Sequence, residues 1–104
     1  MSMMLLFANN ASSKLKTAIN TAVTSISVTT GEGARFPSPN NAVGEYFTVT
    51  VEDRRTGKVE IMNCTARNGD VLTVQRAREG TAAQSFDVLS TVSNRLTADT
   101  MDQL

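Results

Sequence analysis

The sequence predicts an all-β protein: a small antiparallel β-sandwich or flattened barrel of about six short strands. Three observations carry that prediction. Apolar and polar residues alternate with period two in runs rich in β-branched side chains: "SISVTT" (25–30), "YFTVTVE" (46–52) and "VLTVQR" (71–76). "RNGD" (67–70) sets an Asn-Gly pair, the strongest short hairpin signal, between two strand-like runs. The charges flanking "DRRTG" (53–57) favour one antiparallel register over its neighbours.

A chain of 104 residues suits one β-domain over 1–104, with an N-terminal segment at 1–10 and a polar tail at 96–104. A hydrophobic content of 40% with 19% charge fits a folded globule rather than a disordered chain. There is no Trp, so Val, Ile, Leu, Met and a few Phe must fill the core.

The elements follow in order. "MMLLFANN" (Met3 to Asn10) carries five large apolar side chains in succession, with no alternation to bury one face. Such a run either tucks into the domain's own core or meets a partner. The latter makes Met3, Met4, Leu5, Leu6, Phe7, Asn9 and Asn10 a candidate docking element. The run is too short to cross a bilayer and lacks a basic flank, so neither signal peptide nor membrane segment is expected. "SSKLKTAINTAV" (12–23) is ambiguous: Leu15, Ala18, Ile19 and Ala22 follow helical spacing, whereas Leu15, Thr17 and Ile19 follow strand spacing. In "SISVTT", Ile26 and Val28 share a face. "FPSPNNAVG" (36–44) is a loop by its prolines, asparagines and glycine.

Phe47, Val49 and Val51 share the inward face of the next strand. If 53–57 is wholly loop, Glu52 faces Lys58, Val51 faces Val59 and Val49 faces Ile61. Sliding by two residues would oppose Glu52 to Glu60, which is unfavourable. Val59 and Ile61 therefore point inward. At the next hairpin, Asn68 and Gly69 are the central pair of a type I′ turn, with Arg67 opposite Asp70. Strands at about 45–52, 58–66 and 71–76 form a meander. Leu72, Val74 and Val92 complete the inward set, and "LTADTMDQL" (96–104) suits a helical turn capped by Thr97.

Several functions are disfavoured. Ten basic and ten acidic residues leave no net charge, whereas nucleic-acid binders carry a basic excess. The absence of His removes the commonest general base and metal ligand, and a single Cys64 forms neither an intrachain disulfide nor a thiolate zinc cluster. Glu45, Glu52, Asp53 and Glu60 fall at strand edges and turns, where carboxylates usually face water. "GEG" (31–33) lacks the full dinucleotide pattern and its helix. "NAS" at Asn10 and "NCT" at Asn63 match the glycosylation pattern only by chance. No catalytic residue, metal or cofactor is expected.

One stretch resists dismissal. "QRAREGTAAQSF" (75–86) sets Arg76, Arg78 and Glu79 around Gly80 and Thr81. It is either an anion site or a structural corner in which Arg76 ends a strand, Glu79 pairs locally with an arginine and Gly80 takes a conformation other residues resist. No third basic residue or aromatic platform adjoins it, which favours the corner.

"LFANNASSKL", "GEGARFPSP", "EYFTVTVED", "GKVEIMNCTARNGDVLTVQRAREGTAA" and "VSNRLTA" occur in this order. Together they resemble a module of tailed-bacteriophage virion proteins, often the N-terminal attachment domain of tail-fibre and related tail proteins. The resemblance runs from Leu6 to about Ala98. It departs at Ala77, where relatives usually carry Gly, and at "FDVLS", where they often carry a Gly-Asp turn. It implies an extended segment at about 13–19, paired with the strand that follows, and a structural role for Arg76, Arg78, Glu79, Gly80 and Thr81. It also implies residence in the virion, after assembly in the host bacterial cytoplasm. The partners would be other virion proteins of tail, neck or fibre, met in several symmetric copies, with no nucleic acid and no membrane. A capsid decoration protein is the alternative. A carbohydrate-binding module at the host surface is a third reading, disfavoured because sugar platforms need exposed rings.

Overall fold

The computed structural model describes residues 11–94 in full and the backbone of 4–6. Seven strands follow one another: β1 (Met4–Leu6), β2 (Ala11–Lys14), β3 (Ser25–Ser27), β4 (Glu45–Asp53), β5 (Lys58–Asn68), β6 (Val71–Arg78) and β7 (Thr91–Asn94). The helical pieces among the described residues are two 3-10 turns, Gly33–Arg35 and Asn41–Val43. The protein is all-β, as the alternation predicts.

Six strands form one antiparallel path, β2-β7-β4-β5-β6-β3, and β1 adds to β4 in parallel. The path curls until its ends touch. Leu15, one residue past β2, bridges Val28, one residue past β3. Lys16 N–H donates to the Ser27 carbonyl at 2.8 Å, and Thr29 N–H donates to that of Lys14 at 3.0 Å. The result is a half-barrel rather than a sandwich of two sheets.

Its interior holds Ile26, Val28, Phe47, Val49, Val51, Leu72, Val74 and Val92, all of which the alternation marks as inward. Leu15, Ile19, Phe36, Met62, Cys64 and Phe86 join them, and Phe36 stacks on Phe47 with ring centroids 6.0 Å apart. Strand β4 is buried on both faces from Tyr46 to Val51. Strand β5 covers one of its edges, while β1 and β7 share the other. Between those two the Asn94 amide donates to the Thr48 carbonyl at 2.7 Å, so the ladder is continued by a side chain.

The meander of β4, β5 and β6 is present, but both of its registers differ from the prediction. At the first hairpin Asp53 pairs with Lys58, which moves Glu52 opposite Val59 and Val51 opposite Glu60. The loop is Arg54–Gly57, because Asp53 closes it. Its carbonyl accepts from Gly57 N–H at 2.8 Å, and its carboxylate accepts from Arg55 N–H at 2.9 Å. An opposite-charge pair does face across the hairpin, but Asp53 and not Glu52 is its acid. As a consequence Glu60, Met62 and Cys64 take the inward face, and Val59 and Ile61 are only half-buried.

At the second hairpin Asn68 pairs with Val71 and Arg67 with Leu72, so the turn residues are Gly69 and Asp70. Gly69 alone has positive φ, at 62°, which matches a type II′ turn rather than type I′. The physical reason is that the Asp70 carboxylate is needed elsewhere, as described below. Arg67 instead donates to the Gly69 carbonyl at 3.2 Å.

Of the segment expected as a strand over 13–19, only 13–14 belong to a strand; the ladder ends at Lys14 and the chain bends at Lys16 and Thr17. The segment's partner is β7 and not the strand that follows, which it meets only at the Leu15–Val28 bridge. Ile19 then bridges Phe86. The helical turn expected at 96–104 lies outside the described residues.

Candidate functional site

The charged corner is built where β6 leaves the sheet. Arg76 is the last inward-turned residue of its strand, and Glu60 lies beneath it on β5. The guanidinium and carboxylate form a two-pronged pair, with Nε donating to Oε2 and Nη2 to Oε1, each at 2.8 Å. The Arg76 side chain is 8% exposed and that of Glu60 0%. The remaining donors of Arg76 reach the carbonyls of Asn20, Val23 and Gln84, each at 2.8 Å. All five N–H donors of the guanidinium are thereby used. Glu60 also accepts from the backbone N–H groups of Ala77 and Gln84, both at 2.9 Å.

Burial pushes the Glu60 carboxyl upward, but the bonds from Arg76 and from the Gln84 and Ala77 N–H groups outweigh it and hold the group below its ordinary range. Glu60 is therefore an anion at neutral pH, and its partners are fully committed.

The backbone around this pair is unusual. Ala77 and Glu79 have φ of 56° and 53°, and Gly80 has 80°. The Ala77 N–H points inward onto Glu60. Thr81 then replaces a strand partner at the irregularity between Ile61 and Asn63: its hydroxyl accepts from Ile61 N–H at 3.0 Å and donates to the Arg78 carbonyl at 2.7 Å. Gln84 continues the docking, donating to the Val59 carbonyl at 3.0 Å. Strands β5 and β6, the 20–23 segment and the 79–84 loop thus converge on one ion pair.

Of the corner residues marked from sequence, Arg76, Gly80 and Thr81 act in this network. Glu79 does not supply the arginine's partner; Glu60 does. Arg78 is exposed and makes no ion pair among the described residues. Glu60 itself, expected to face water, is the fully buried member. Asp53 is buried too, and contacts with Arg55 and the Thr56 N–H hold it below its ordinary range despite burial.

The "GEG" stretch also has a structural use. Gly31 and Gly33 N–H groups donate to the two Asp70 oxygens at 3.0 and 2.9 Å. These two bonds, more than the charges of Lys16 and Arg67, hold the Asp70 carboxyl below its ordinary range. Gly31 has φ of 84°. At Gly33 an added Cβ would meet the Gly69 carbonyl and lie 2.7 Å from Asp70 Cα. This is an anion-binding nest, and its anion is supplied by the chain itself.

No family model matches this chain, and no curated protein matches it either.

The other candidate positions are quiet chemically. Burial pushes the Cys64 thiol up to about 12, so it stays protonated. No group of three or more His, Cys, Asp or Glu residues among those described could hold a metal ion. No helix among them is long and apolar enough to cross a membrane. Of the N-terminal docking element, the Met4–Leu6 backbone pairs with Glu45–Phe47; Met3, Phe7, Asn9 and Asn10 lie outside the described residues.

Proposed function

We propose that the protein is an architectural component of a tailed-bacteriophage virion, attaching or linking fibre, tail or neck proteins. The observation that carries this reading is the commitment of the charged corner. Within the stretch "GKVEIMNCTARNGDVLTVQRAREGTAA" that carries the resemblance, Arg76 and Glu60 use their charges to join strands and loops, and the pair keeps no atom free for a ligand. Such a corner makes a rigid small module, suited to being held between larger partners. The chain works in several copies within the particle, and is assembled there from the host cytoplasm.

The test is quantitative mass spectrometry of purified particles. A count of roughly a dozen copies per particle supports the tail reading. Copies in the hundreds move the protein to the shell, as a decoration protein. Its absence from particles overturns both.

A further inference from the structure

Four large apolar side chains stand exposed among the described residues, and two of them, Val88 and Leu89, are adjacent. Leu89 is 64% exposed and holds φ at 72°, a region that γ-branched residues rarely adopt. The turn is not loose. Leu89 N–H donates to the Leu15 carbonyl at 2.9 Å, Ser90 Oγ to the Asp87 carbonyl at 2.8 Å, and Arg55 Nη2 to Asp87 Oδ2 at 2.8 Å. These bonds set the backbone of the turn, from which both side chains stand outward.

Beside the turn lie two adjoining cavities of about 270 and 430 Å³, which share Lys14, Arg54 and Thr91. Lys14 and Arg54 are exposed, and neither side chain has an ion pair or hydrogen bond among the described residues. The acids of the same groove are occupied. Asp53 is held by Arg55, Glu32 by Ser13 and Arg35, and Glu52 is engaged as well. The uncommitted charge there is positive, in a chain with no net charge.

We infer that the Val88–Leu89 turn and this groove form a docking surface for another protein, one presenting an apolar socket edged with carboxylates. Leu89 fills the socket while Arg54 and Lys14 meet the carboxylates. A pre-ordered apolar anchor beside complementary charge is how protein interfaces concentrate their affinity. Two free cations without an aromatic platform do not suit a nucleic acid. The inference deepens the virion reading and rests on it.

The experiment compares purified particles made with the wild-type chain, Leu89→Gly, Leu89→Asp and Arg54→Glu, each first checked for folding by thermal melting. Leu89→Gly relieves the backbone strain, so its melting temperature rises while its copy number falls at least tenfold. Leu89→Asp and Arg54→Glu melt within a few degrees of wild type and are depleted several-fold or more. A photo-crosslinking side chain at position 88 should link to a different virion protein. Wild-type protein missing from particles would defeat the virion reading. Wild-type and variant chains present at equal copy number, or crosslinks only to a second copy of this chain, would defeat the docking surface and leave that reading intact.

Discussion

Two carboxylates fasten a hairpin to a neighbouring loop in this molecule, and they do so by different means. Glu60 holds β5 against the 76–84 corner from a fully buried position, and it has a guanidinium to balance it. Asp70 holds the 31–33 loop from a half-exposed turn, through two backbone N–H groups. Burial explains the contrast. Both carboxylates accept from two backbone N–H groups, yet Glu60 has no water to solvate its charge and Asp70 does. A countercharge is required where solvent is lost.

The comparison breaks most visibly at Glu60. Glu60→Ala leaves the Arg76 guanidinium buried without its carboxylate, and should cost about 3–5 kcal/mol in a urea titration. Arg76→Lys keeps the charge and should lose only part of that, because an ammonium cannot reach the carboxylate and three carbonyls together. A loss under about 1 kcal/mol in either variant would show the pair to be dispensable.

The nest should yield to steric change instead. Gly33→Ala drives a methyl group into the Gly69–Asp70 backbone and should cost about 1–3 kcal/mol. Gly69→Val strains the positive φ of the turn by a similar amount, about 1–3 kcal/mol. Unchanged melting temperatures would mean that the close approach, or the II′ turn, is wrong.

Acid acts on both fastenings. Both folded-state values lie below the ordinary ones, 4.5 for Glu60 and 3.8 for Asp70. Each contribution is therefore complete above the unfolded value and is lost as pH falls through the folded one. Melting temperature should drop in acid for the wild-type chain. Asp70→Asn should flatten that drop, with the hairpin otherwise intact; an identical pH profile would show that Asp70 contributes nothing.

The smallest expected effect is a gain. Ala77 sits at φ 56°, and its N–H donates to Glu60. Ala77→Gly removes the left-handed strain, partly offset by a more flexible unfolded chain, and should stabilise by about 0.5–1 kcal/mol. A melting temperature that falls would mean the Ala77 side chain has a packing role.

Most of the sheet was legible because its signal is local. Period-two alternation placed the β4–β5–β6 meander and eight of the buried side chains. What was not legible depends on partners far away in sequence. In "KVEIMNC" both alternation phases are plausible: Val59 and Ile61 favour one, Met62 and Cys64 the other. Arg76, 16 residues on, decides it by making a buried Glu60 tolerable. Likewise the "RNGD" turn is displaced by one residue because Asp70 is claimed by Gly31 and Gly33. The nest at "GEG" was not read, because the stretch lacks a dinucleotide pattern and an internal anion carries no mark in sequence. The exposure of Leu89 was hidden for the same reason, since bonds to Leu15 and Arg55 set the turn.

The closing of the half-barrel bears on how the chain is made. Strand β2 finds its ladder in β7, Ala11 opposite Asn94, and β7 also completes the second edge of β4. During translation β3 to β6 can pair as they emerge, but β2 and part of β4 must wait for β7. Until then they offer unpaired N–H and C=O groups to any neighbouring nascent chain. Short turns join the β4–β5–β6 meander, whereas closure through β7 is a long-range pairing and the slower kind to form.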